Sequence, residues 1–196
     1  MARTPAVRRP TRQRLALRPD GWFGGAKRVP SPNHDARPAG TAIDLLVVHG
    51  ISLPPGRFGG PHIERLFTNR LDPAAHPYFE TIAGLRVSSH LLVRRDGAVV
   101  QFVPLGARAW HAGASRFDGR ERCNDFSIGI ELEGADDVPY TARQYARLAT
   151  LARLLMRAHP GISAARIVGH SDVAPGRKTD PGAHFDWSRL LAALAQ

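Results

Sequence analysis

The segment FSIGIELEG, residues 126–134, alternates large apolar residues with small or polar ones. Successive side chains of an extended chain point to opposite faces, so this alternation predicts a strand. Phe126, Ile128, Ile130 and Leu132 share one face, and Ser127, Gly129, Glu131 and Glu133 the other. A carboxylate in the middle of such a strand must meet solvent, a cleft or a partner. Glu133 suits the solvated face better, which leaves Glu131 as the candidate for a cleft.

Working outward, Ile43 to Val48 is a short β-branched and apolar run, the pattern of a buried strand, and His49 stands at its end before Gly50. RVSSHLLV and AVVQFV flank RRDG, whose Asp96-Gly97 pair predicts a hairpin turn. ARIVGH reads as another short strand ending in a histidine, His170. PHIERLF reads as a short helix with Pro61 near its start. The longest helix is expected from Thr141 to His159. Thr141 with Gln144 makes a capping box, and Tyr145, Leu148, Leu151, Ala152 and Leu155 form its apolar stripe. Asp186 is expected to cap a last helix, WSRLLAALA. Strands mixed with helices and a hairpin give an α/β (mixed α+β) class: a central mixed β-sheet flanked by helices.

The 196 residues suit one domain, with 43% hydrophobic and 22% charged residues. No apolar run is long enough to span a bilayer. The N-terminus has arginines but no continuous apolar stretch of the secretory kind. The single cysteine, Cys123, excludes an intrachain disulfide and fits a reducing compartment. A net charge of +10 invites a nucleic-acid partner, but residues 1–28 hold eight basic residues and one acid, leaving only +3 for the other 168. Residues 1–20 therefore read as a basic, disordered tail and 21–196 as the single domain. The expected setting is cytoplasmic, with no nucleic-acid partner and no stable membrane association.

The loop VGHSDVAPGRKTDPG, residues 168–182, crowds ionisable groups around a Pro-Gly turn. One reading is a solvated surface loop. The sharper one joins it to His49. His49, His170 and Asp180 form a plausible three-ligand set for zinc, with a fourth position open to water. Pro181 biases Asp180 toward extended backbone, which points Lys178 to the same side. Glu131 could then take a proton from the attacking water, and Lys178 could meet the oxyanion formed on a carbonyl.

LLVVHGISLPPGRFGG, LDPAAHPYFETIAGLRVSSH, RRDGAVVQFVPLGARAWHAG, GRERCNDFSIGIELEG and GHSDVAPGRKTDPGAHFDW together resemble the cytoplasmic 1,6-anhydro-N-acetylmuramoyl-L-alanine amidases of the AmpD type. The resemblance runs from about Gly21 to Trp187. It implies the fold of the peptidoglycan-recognition-protein and amidase relatives, a central mixed sheet with helices packed on it. It implies hydrolysis of the amide between the muramoyl lactyl group and L-alanine, in anhydromuropeptides recycled from the cell wall. It implies one zinc on His49, His170 and Asp180, Glu131 as proton acceptor and Lys178 as transition-state stabiliser. Trp110 becomes a candidate for the substrate pocket, with His111 beside it, and Arg122 a candidate anchor for a peptide carboxylate. One departure stands out: many relatives carry Asn where this chain has Gly50. The alternative is a muropeptide-binding module of the same fold without catalysis, which could lose any of the five site residues. All five are present.

Overall fold

A computed structural model describes residues 14–195. In chain order the strands are β1 (Ala16–Leu17), β2 (Phe23–Gly24), β3 (Lys27–Arg28), β4 (His34–Ala36), β5 (Leu45–Ile51), β6 (Leu91–Val93), β7 (Val99–Gln101), β8 (Ala107–Ala109), β9 (Arg116–Phe117), β10 (Arg120–Glu121), β11 (Ser127–Glu133) and β12 (Ile167–Gly169). The α-helices are α1 (His62–Phe67), α2 (Pro77–Thr81), α3 (Ala142–Ala158), α4 (His170–Val173) and α5 (Trp187–Leu194). The central sheet has six strands in the order β12-β5-β11-β6-β7-β3. β12, β5, β11 and β6 run parallel, β7 returns antiparallel to β6, and β3 lies parallel to β7. This is the mixed sheet that the sequence predicts.

The two longest strands, β5 and β11, are neighbours at the centre. Leu46 and Val48 of β5 join Ile128, Ile130 and Leu132 of β11 in the largest core cluster, together with the apolar stripe of α3 and Leu190 of α5. On the opposite face, Leu45 and Val47 pack with Ala112, Cys123 and Val173. Further along that face, Leu92, Val100 and Phe102 pack with Ile63, Phe67 and Phe79 of the short helices α1 and α2. Covering on both faces explains the unbroken apolar run of β5.

The capping box on α3 forms as expected, with the Thr141 hydroxyl accepting from Gln144 N and the Gln144 side chain accepting from Thr141 N. The same Gln144 amide donates to the carbonyls of Val93 and Glu133, so the helix start is tied to the ends of β6 and β11. Asp186 caps α5 by accepting from Arg189 N. At the β6–β7 hairpin Gly97 takes φ +81°, with Arg94 N bonded to Ala98 O at 2.9 Å.

Four expectations change. Phe126 lies outside β11, in the turn before it, and packs with Leu45 and Val47 on the face opposite Ile128. Glu133 is not solvated: it is 2% exposed and accepts from Gly59 N, Arg95 N and the Arg94 guanidinium, which together replace its lost water. The basic tail does not extend to residue 20. Leu15 is buried in the main core and β1 pairs with β2, while the rest of the tail lies outside the described residues. β5 continues through His49 and Gly50 to Ile51, so the strand does not end at His49.

The Pro/Gly/Asn-rich segment before β5 is held by side-chain clamps. Arg37 donates to the carbonyls of Asn124, Asp125, Leu105 and Ser127, and the Asn33 amide to Asn69 Oδ1 and the Val87 carbonyl. Gly50 also has a structural reason. A Cβ there would collide with Tyr140 Oη, and one at Gly134 would collide with the Tyr140 ring. The Tyr140 hydroxyl donates to Pro181 O at 2.9 Å, so the ring cannot move aside without releasing that bond. Gly50→Ala is expected to cost about 1–3 kcal/mol of stability by overpacking. In a Tyr140→Phe background that cost should fall by half or more, because the colliding atom is gone. Denaturant unfolding of the four proteins of this cycle measures the coupling, and strictly additive costs would refute the account.

Candidate metal centre and cleft

His49, His170 and Asp180 come together from three parts of the chain. His49 Nδ1 stands 3.0 Å from His170 Nδ1 and 3.2 Å from Asp180 Oδ2, and His170 Nδ1 stands 3.1 Å from the same oxygen. For a tetrahedral ion with bonds of about 2.0–2.1 Å, neighbouring donors lie about 3.3 Å apart, so the triangle has the size of one face of such a shell. The protonation of His170 fits a cation as well. Its Nε2 faces the Ala112 carbonyl at 3.1 Å, and a carbonyl only accepts, so Nε2 carries the proton. Nδ1 is then a bare lone pair pointing at a carboxylate. Two such acceptors repel unless a proton or a metal cation lies between them.

The sheet explains how the groups meet. β5 and β11 are parallel and in register with His49 opposite Glu131, so both side chains leave the same face. β12 lies on the other side of β5, and His170 follows its last residue directly. The chain then turns through Pro175-Gly176 and comes back. Ser171 N bonds to Asp180 O at 3.0 Å, and Tyr140 Oη holds the next carbonyl, that of Pro181. Asp180 is fixed from both sides.

The triad opens into a cavity of about 680 Å³ whose walls also include Glu131, Lys178, Trp110 and His111. An apolar wall comes from Leu53, Phe67, Tyr78, Ile82 and Leu85. A space this large with a few convergent polar groups has the dimensions of a ligand-binding site. Glu131 is 7% exposed. Burial pushes its carboxyl well above the ordinary 4.5, the Asp180 charge adds to this, and Lys178 opposes it. Burial lowers His49 to about 4, against the opposing pull of the neighbouring Asp180 carboxylate. Burial and the neighbouring imidazoles hold His111 well below the usual histidine range, so it is neutral. Burial opposes ionisation of Asp180, but the facing imidazoles of His170 and His49 outweigh it and keep the group far below the ordinary carboxylate range.

Of the residues singled out from sequence, the five proposed for chemistry all reach this cavity, and Trp110 lines it. Arg122 does not. It sits at φ +61°, pairs with Asp125 at 3.3 Å, and borders a separate depression of about 530 Å³ with Arg116 and Arg177. His90, one residue before β6, is fully buried and accepts from Gly129 N through Nδ1, as a packed histidine outside the strand. Cys123 is buried and free. His111 is more than a wall residue, since its Nδ1 lies 2.9 Å from His49 Nε2. Sequence offered only its place beside Trp110, because the contact spans 62 positions. Among the described residues no helix is long and apolar enough to cross a membrane.

The family of N-acetylmuramoyl-L-alanine amidases matches residues 39–183. The chain is 60% identical over 176 residues to 1,6-anhydro-N-acetylmuramyl-L-alanine amidase AmpD of Escherichia coli K12, covering 90% of this chain and 96% of that protein. A crystal structure of a selenomethionine AmpD derivative superposes with a TM-score of 0.89 at 57% identity, covering 91% of this chain and 99% of the other. The E. coli amidase AmiD, solved with anhydro-N-acetylmuramic acid-L-Ala-D-γ-Glu-L-Lys, shares 30% identity at a TM-score of 0.57, over 80% of this chain and 60% of that one. With the triad, the buried carboxylate and the cavity on one sheet face, these likenesses have one meaning: the chain belongs to the N-acetylmuramoyl-L-alanine amidase family, among the enzymes of the AmpD type.

Proposed function

We propose that the chain hydrolyses the amide between 1,6-anhydro-N-acetylmuramic acid and L-alanine in peptidoglycan fragments, with one zinc ion held by His49, His170 and Asp180. The observation that carries the reading is the meeting of three donor atoms with Glu131 and Lys178 in one cavity. The named substrate of the E. coli relative and the anhydromuropeptide bound to AmiD support the choice of amide. Cell-wall recycling in the cytoplasm is part of the same proposal, and the buried, unpaired Cys123 suits that setting.

Bound at the triad, zinc supplies water activation and polarisation of the amide carbonyl. Glu131 removes a proton from the attacking water as its oxygen adds to the carbonyl carbon. Burial has raised the affinity of Glu131 for that proton, which suits it to hold the proton and return it to the departing L-alanine nitrogen. Lys178 provides a cation for the oxyanion of the tetrahedral intermediate. The C–N bond then breaks, leaving a muramoyl carboxylate and a free peptide amine. Trp110 lines the space for the sugar or the first peptide residues. Arg122 remains the proposed anchor for a peptide carboxylate, and a stem peptide would have to run out of the cleft toward the second depression to reach it.

Three measurements test this. His49→Ala should lose both zinc and turnover of anhydromuropeptide, read by metal analysis and mass spectrometry of the products; a zinc-free preparation of full activity would sink the mechanism. Lys178→Ala should keep zinc and fold but lower kcat by about 10²–10³-fold with little change in KM. A kcat within about threefold of the parent, under roughly 0.7 kcal/mol, would remove Lys178 from the chemistry.

The third concerns pH. The folded-state pKa of Glu131 lies above its ordinary 4.5, so ionising it costs the folded protein stability. That loss is absent below pH 4.5, where the group is protonated in both states, and grows as pH rises through the folded value. Metal-free Glu131→Gln should therefore melt above the metal-free parent at pH 7, and the gap should close in acid. Equal melting temperatures at pH 7 would show that Glu131 is not held in a desolvated site.

A further inference from the structure

We propose that His111 and Ser127 are positioning residues that lock His49 in the tautomer whose Nδ1 lone pair faces His170 and Asp180. The order of protons follows from one fixed acceptor. Ser127 Oγ lies 2.5 Å from the Cys123 carbonyl, and a carbonyl has no proton to give, so the hydroxyl proton points there. Ser127 Oγ can then only accept from its other neighbour, His111 Nε2, at 3.2 Å. His111 is buried and, among the described residues, its ring nitrogens face only Ser127 and His49, with no carboxylate to hold a second proton, so its one ring proton is on Nε2 and its Nδ1 is bare. That bare Nδ1 lies 2.9 Å from His49 Nε2 and accepts its proton. His49 Nδ1 is left proton-free and aimed into the triad. His170 reaches the same state in one step through Ala112 O, so the two histidines are set by separate devices.

The surroundings are built around this chain. Gly129 of β11 lies against the His111 ring, and a Cβ there would come within 2.5 Å of its Cγ. Asn124 Oδ1 accepts from the backbone N–H groups of both His111 and Ala112, fixing the loop from which the ring reaches inward. Ser127, His111 and His49 are each under 10% exposed, so water does not compete for these bonds.

The effect on zinc rests on the metal reading proposed above; the order of the protons does not. Nitrogen-15 NMR of the imidazoles in metal-free protein at pH 7 reads the tautomers directly. His111 and His49 should both show the Nε2–H form, and an Nδ1–H form of His111 would overturn the inference. Zinc affinity is read separately by competition with a chromophoric chelator, on variants shown to be folded by circular dichroism. His111→Leu, which cannot accept, should weaken zinc binding by about 10–100-fold, while His111→Gln, whose amide oxygen can accept from His49, should stay within roughly threefold of the parent. Equal affinities for His111→Leu and the parent, or equal losses in both variants, would refute the positioning role. A parent that binds no zinc would count against the proposed function instead, with the NMR result still deciding the proton order.

Discussion

The structure depends on one pairing, the parallel alignment of β5 with β11 that sets His49 opposite Glu131. In a parallel pair directly opposed residues face the same way, so a slip by one position would turn Glu131 toward α3 and carry Ile130 and Leu132 round to the cleft face. The apolar residues of both strands fix the register, because Leu46, Val48, Ile128 and Ile130 are completely buried under α3. The hydrophobic face thus enforces the geometry of the polar one. The ionisable groups have little freedom to rearrange because the side chains behind them are close-packed.

That polar face is costly to bury, and the chain meets the cost with defined partners. Glu133 receives two backbone donors and a guanidinium, Gln144 bonds two strand-end carbonyls, and His90 accepts from Gly129 N. Glu131 differs. Among the described residues no such set of donors surrounds it; burial and the nearby Asp180 charge raise its proton affinity. Two carboxylates two residues apart on one strand face are therefore separated by role: one is tied down by hydrogen bonds, and the other is left to handle a proton.

Glycines complete the arrangement where rings approach the sheet. Gly129 admits the imidazole of His111, and Gly50 with Gly134 admits the ring of Tyr140. Each ring then supports a group of the triad, His111 through the Nε2 of His49 and Tyr140 through the carbonyl that follows Asp180. Gly50 thus sits where Tyr140 has taken the space.

Local pattern in the sequence was enough for the mixed sheet, the hairpin at Asp96-Gly97, the box at Thr141 and Gln144, and the cap at Asp186, because each depends on residues within a few positions of one another. Residue type and placement along the chain picked out His49, Glu131, His170, Lys178 and Asp180, and the resemblance to the amidases selected the same five. Burial was another matter. Glu133 looked like a solvated residue because alternation cannot tell whether a second layer covers the polar face, and loops arriving from Gly59 and Arg95 cover it. Phe126 changed faces because a single turn of 3₁₀ helix precedes β11. The link from Cys123 O through Ser127 and His111 to His49 joins residues 62 positions apart at its last step. Only the folded sheet brings those positions together, since the direction of a proton along such a chain is decided by which acceptor lies at its far end.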